Sequence, residues 1–197
     1  MSSDPNPTRR LEALSDGVFA IAMTVMALEL TATVRPEAGF RETWEELWPR
    51  LVAYVMSFLI LSLFWMGQKL ALDASSETPR WHQITHLLFL MVVAAIPFPA
   101  ALVGSHPDAF WAFAVYGGVL TLAAALLELS VRQVLHHAGT DPRGRAVEKR
   151  LLIALAGYAG CLLVALVQPV LGLVAFAGSH AAMMLVPLQD EERQPGS

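Results

Sequence analysis

The chain has 197 residues, 55% of them hydrophobic and only 15% charged, with a mean hydropathy of +0.52. A soluble domain carries about 25% charged residues, so this composition excludes an ordinary globular protein and points to a membrane one. The single cysteine, Cys161, excludes an intrachain disulfide; the net charge of −4 says little, because the side on which each charge sits matters more than the sum, and no nucleic-acid partner is expected.

Apolar runs cover residues 11–30, 51–72, 84–103, 110–134, 151–167 and 170–188. Each is close to the roughly 20 residues that a helix needs to cross a bilayer. The expected fold is an all-α integral membrane protein of six transmembrane helices, with a membrane domain over 1–188 and a polar cytoplasmic tail over 189–197. Breakers separate the runs, among them Pro36 with Gly39, Pro79, Gly104 with Pro107, Gly139 with Pro142, and Pro169. A cleavable leader is weighed because Arg9 and Arg10 precede the first run, but Asp16 and Glu29 interrupt its core.

The first run is the one whose polar residues need a reason. An ionisable side chain at the centre of a span costs at least ~2.5 kcal/mol and normally faces protein or water. Asp16 lies well inside the run. At 100° per residue, Leu14, Val18, Ile21, Val25 and Leu28 form one stripe with Gly17 and Thr24 at its edge, while Asp16 points about 140° away from Ile21. Stripe and carboxylate therefore face different surroundings. On periodicity alone the stripe also reads as an ordinary helix-packing seam.

The second run carries Trp65 and Gln68, and the third carries Thr85 and His86. If successive helices alternate in direction, Asp16, Trp65 and His86 fall at similar depth, about 10 Å from the cytoplasmic end. Indole and imidazole N–H groups suit a carboxylate. A polar clamp joining helices one, two and three is expected, with Ser15, Gln68 and Thr85 as further members. The same bonding would also serve merely to stabilise the bundle.

Orientation follows from Lys and Arg. With the N-terminus inside, ten lie on the inner side (Arg9, Arg10, Lys69, Arg80, Arg132, Arg143, Arg145, Lys149, Arg150, Arg193) and three outside (Arg35, Arg41, Arg50). The bias places both termini in the cytoplasm of a multi-pass cell-membrane protein. Trp44, Trp48, Trp81 and Trp111 sit at run boundaries, as headgroup-level anchors against membrane lipids. The basic segment 143–150 is read mainly as a topological anchor, with attraction to anionic lipid as the other reading.

The string Arg10-x-x-x-Leu14-Ser15-Asp16-Gly17-Val18-Phe19-Ala20-Ile21-Ala22 resembles the Arg-x-x-x-Phe-Ser-Asp signature of the transmembrane protein 175 family. That family comprises endosomal and lysosomal potassium channels with bacterial single-repeat relatives. The likeness extends to Ser57-Phe58 through Trp65, and to Leu87-Leu88-Phe89-Leu90 through Pro97-Phe98-Pro99. The resemblance implies a homotetramer with helix one of each subunit lining a central pore permeable to potassium ions. It implies an apolar constriction at Ile21, with Val25 and Leu28 as further rings, Thr24 as a hydroxyl layer, and Arg10, Ser15 and Asp16 as the supporting network. No cofactor is implied. The chain departs from the pattern at Leu14, where Phe is usual, at Gln68 and Lys69, where a His pair is common, and at His86, where Asn is usual.

No Thr-Val-Gly-Tyr-Gly loop is present, so discrimination would have to come from the apolar ring. A small secondary transporter or proton-coupled carrier with Asp16 and His86 as a relay is the alternative, weakened by the lack of inverted repeats. A membrane metalloenzyme is a third reading. His82 and His86 are spaced i, i+4 and His136 and His137 adjoin, but no third ligand accompanies them, so neither a metal nor an enzyme is expected.

Overall fold

The computed structural model describes residues 7–31, 37, 39–73 and 80–137, with single positions 160, 171, 174, 175 and 178 beyond them. Five helices follow in order: α1 (Pro7–Thr31), α2 (Phe40–Asp73), α3 (Arg80–Ala95), α4 (Pro97–Ser105) and α5 (Phe110–His137). Helices α3 and α4 together form one apolar crossing, Arg80–Ser105, so the described residues contain four helical segments long and apolar enough to span a bilayer.

This corrects the six spans expected from hydropathy. An apolar run shows that a segment tolerates burial, whereas a span requires one helix of about 20 residues, and four described segments meet that test. Apart from those single positions, the runs at 151–167 and 170–188 lie outside the described residues, as do the tail at 189–197 and the basic segment 143–150.

Local chemistry accounts for the boundaries. Pro7 opens α1 at a position where its missing N–H is no loss. Helix α2 has 34 residues and carries Pro49 in its interior. At ~1.5 Å per residue it is about 51 Å long, well beyond the ~30 Å hydrocarbon core. It starts eleven residues before the apolar run because Arg41 and Glu45 support the exposed end, with Nε donating to Oε1 at 3.0 Å. Phe40, Trp44 and Trp48 stack along one side of that end, with ring centroids 6.4 and 5.8 Å apart.

The run expected as one helix over 84–103 is instead broken at Ile96. Pro97 has no N–H, and its ring would crowd the carbonyl four residues back. The chain tightens there, with Ile96 N–H bonding Val93 O at 3.1 Å before Ala100 N–H resumes on Ile96 O at 3.1 Å. Helix α4 ends at His106, whose N–H caps Leu102 O at 2.9 Å. A short turn then leads into α5.

Packing centres on Phe89, which is fully buried and touches Phe19 of α1 and Phe64 of α2, at centroid distances of 6.0 and 6.1 Å. The buried cluster continues through Ile60, Leu61, Val93, Ile96, Tyr116 and Leu120. Tyr116 and Ser57 share a hydrogen bond of 2.7 Å that ties α5 to α2. Helices α2 and α4 approach closely at Gly104, where any Cβ would lie 3.0 Å from Arg50 Cα. In lipid such contacts act through van der Waals fit, since no water is displaced between helices.

Candidate pore face and polar layer

Helix α1 has two sharply different faces. Leu11, Ser15, Phe19, Ala22 and Met26, spaced by four or three, are buried against α2, α3 and α4. On the other side Leu14, Ile21, Val25 and Leu28 are exposed, Ile21 and Leu28 at 64% each. Gly17 and Thr24 are exposed as well, and Val18 at the margin is half-buried. The stripe is therefore no packing seam within the protomer. Of the four spans α1 has the smallest buried share.

Thr24 is oriented by its own backbone. Its Oγ1 lies 2.9 Å from Ala20 O and 3.0 Å from Ile21 O, so the hydroxyl hydrogen points back into the helix. The oxygen lone pairs are left outward, among apolar neighbours. An acceptor presented in this way suits a cation.

Ser15, Gln68 and His86 lie on the buried side, each at most 1% exposed. Each sits one helical turn from a phenylalanine of the central trio, on the side toward Pro7: Ser15 four before Phe19, Gln68 four after Phe64, and His86 three before Phe89. They therefore share one level. Ser15 Oγ donates to Leu11 O at 2.9 Å and lies 2.8 Å from His86 Nε2, which joins α1 to α3.

Asp16 is placed differently from Ser15. It is exposed at the edge of the protomer, where Trp65 Nε1 donates to Oδ1 at 2.8 Å. The ammonium of Lys69 lies 5.3 Å from the centroid of the same indole. Carboxylate at the ring edge and cation over its face both match the indole quadrupole. The structure thus brings Asp16 to Trp65 and Ser15 to His86, and it is Ser15 that reaches the interior. Arg10 is exposed and makes no ion pair among the described residues.

Helix α5 contributes polar groups that sequence reasoning missed. His82 Nδ1 is 3.3 Å from Ser130 Oγ, and Gln133 Nε2 donates to Thr85 Oγ1 at 3.0 Å. The rings of His82 and His86 are 6.0 Å apart. Glu128 and Arg132 pair at 3.2 Å within the same span. Both the carboxylate in an apolar run and its partner four residues on were visible in the sequence as an i, i+4 pair.

Comparison with known proteins matches this architecture. Residues 10–97 fit the family described as endosomal/lysosomal potassium channel TMEM175. A potassium channel of Streptomyces collinus is 32% identical over 167 residues, covering 78% of this chain and 80% of the relative. One of Chamaesiphon minutus is 32% identical over 146 residues, covering 71% and 70%. The crystal structure of a lysosomal potassium-selective channel TMEM175 homolog from Chamaesiphon minutus superposes with a TM-score of 0.76 at 27% identity, over 90% of this chain and 96% of that one. Four described spans, a polar-then-apolar first helix and these likenesses together place the chain in the TMEM175 family, a family of multi-pass membrane ion channels and not of enzymes.

Proposed function

We propose that the chain forms a potassium-permeable cation channel, a homotetramer in which the α1 helices of four copies surround a central pore. The observation that carries this reading is the exposed stripe of α1. Leu14, Ile21, Val25 and Leu28 are left unpacked by the protomer, and Thr24 offers its oxygen on the same side. In a pore that oxygen would meet a passing cation.

In this reading Ile21 forms the constriction, with Val25 and Leu28 as further rings. Four branched side chains around an axis exclude water, so an ion has to shed part of its hydration shell. Potassium holds its water less tightly than sodium and passes more readily. Thr24 lone pairs beside the ring partly replace the lost water. Selectivity by such a ring is modest, because no carbonyl cage replaces the shell fully. Asp16, Trp65, Ser15, Gln68 and His86 hold α1 from behind, Arg10 flanks its first turns, and no cofactor takes part beyond the permeant ion.

Lys and Arg distribution supports a cytoplasmic Pro7 end of α1 and both termini inside the cell. The aromatic rail of Phe40, Trp44 and Trp48 then stands at the outer face, at the level of lipid headgroups. Potassium flux from liposomes holding the purified protein tests the function, with substrate-driven uptake as the carrier control. Passive flux down a potassium gradient is expected. Transport only when coupled to a second gradient would replace the channel with a carrier.

A further inference from the structure

The layer of Ser15, Gln68 and His86 is closed on both sides. The Phe19–Phe64–Phe89 trio covers it toward the middle of the bundle, and buried Leu11, Leu72 and His82 cover it one turn nearer Pro7. Within this enclosure Gln68 Oε1 and His86 Nδ1 are both buried, and neither has a hydrogen-bond partner among the described residues. Orphaned polar atoms at this burial are rare in folded proteins and call for a partner.

The hydrogen count fixes what kind of partner. Ser15 carries one hydroxyl hydrogen, and it goes to Leu11 O, a carbonyl that only accepts. Toward His86 the Ser15 oxygen must then act as acceptor, so the 2.8 Å contact is an Nε2–H donating to Oγ. A neutral imidazole protonated at Nε2 has a bare lone pair at Nδ1. Both orphans, Nδ1 and the Gln68 carbonyl oxygen, are therefore acceptors. They lie at one level, on helices whose register is set by the Phe64–Phe89 contact one turn away. Both are buried acceptors at one level, one on α2 and one on α3, and a small molecule with two donor hydrogens would satisfy them together.

We propose that this layer is a built site for one internal water, which donates one hydrogen to Gln68 Oε1 and the other to His86 Nδ1. The water supplies the polar link between α2 and α3 at this level, and through His86 and Ser15 that link continues to α1. Buried waters of this type bind where two or more polar groups converge. The site stands on hydrogen-bond stoichiometry alone, so it neither depends on ion conduction nor follows from it.

The test uses the wild-type protein in lipid. Nitrogen-15 spectra of the histidines, with the His86 resonances identified by their loss in His86→Asn, should show Nε2 protonated and Nδ1 bare but hydrogen-bonded. A cryo-electron microscopy map fine enough to resolve waters should show one density peak within hydrogen-bond distance, about 2.7–3.2 Å, of both acceptors. Three results would overturn the site. One is a proton on Nδ1, alone or in the doubly protonated ring, which would bond Gln68 directly. Another is a Gln68 amide rotated to place its NH2 on Nδ1 with no peak between. The third is an empty gap with both atoms unpaired.

Discussion

The two faces of α1 have nearly the same apolar character and opposite fates. Phe19, Ala22 and Met26 disappear into contacts made by α2, α3 and α4, while Leu14, Ile21, Val25 and Leu28, interleaved with them, stay 40–64% exposed. Hydrophobicity cannot explain the difference, since in a bilayer both faces are equally content with lipid. What separates them is the company each keeps. The buried face carries Ser15, whose partners lie inside the chain, and the exposed face carries Thr24, whose oxygen looks outward. A polar atom shows which way a helix face is meant to turn.

The comparison breaks most visibly if the buried face is emptied. Phe19→Ala removes a ring that is 2% exposed and packs on Phe89 at 6.0 Å. Losses of about 3–5 kcal/mol are typical of such truncations. We expect a steep drop in folded protein and in the detergent midpoint of unfolding, with ion preference unchanged in what remains. A normal midpoint would mean that α1 is held by something other than its buried face.

Asp16→Ala tests the seam between the faces. It takes away a charge-assisted acceptor from Trp65, and such bonds contribute about 1.5–3 kcal/mol. Tetramer yield on size exclusion should fall, and Trp65→Phe should lower it similarly without adding to the first loss. A full yield of tetramer with altered ion preference would instead put Asp16 on the conduction path.

Much of this was legible in the sequence, for reasons that differ by element. The stripe on α1 was readable because helical periodicity is a local property, and its exposure agrees with an unpacked face. Asp16 and Trp65 could be paired by counting residues from the helix ends, since depth scales with position. His86 was placed at the right level, but its partner is Ser15, one residue and 100° away from Asp16, a distinction that depends on how α3 is rotated. Hydropathy leads to six spans, whereas four described segments are long and apolar enough to cross, and the last two runs fall almost wholly outside the described residues. The break at Ile96 is written in Pro97 and Pro99, which close the family-like string of the third run. Ser130 and Gln133 gave no signal at all, since nothing in their spacing says that α5 packs on α3.

On the exposed face the expected stability effects are small and the functional ones decide. Ile21→Asn changes a side chain that is 64% exposed in the protomer, where substitutions usually alter stability by no more than about 0.5 kcal/mol. Four amides around the axis would resolvate sodium and potassium alike. The potassium-to-sodium permeability ratio should fall severalfold, read as a shift in bi-ionic reversal potential. An unchanged ratio would remove Ile21 from the constriction.

Thr24→Val should have the smallest effect, and it sharpens the comparison further. Valine keeps the shape of threonine but replaces the oxygen that bonds Ala20 O and Ile21 O. The helix already satisfies those carbonyls in its own ladder, so stability should scarcely move. What is lost is the outward lone pair. If that oxygen helps an ion across the Ile21 ring, single-channel conductance should drop modestly for potassium and sodium together, because an acceptor of this kind lowers the barrier for either. The reversal potential would then stay near its wild-type value. A conductance equal to wild type would mean that the lone pair meets no ion, and that the polar atom on the exposed face of α1 does not mark a water-filled path.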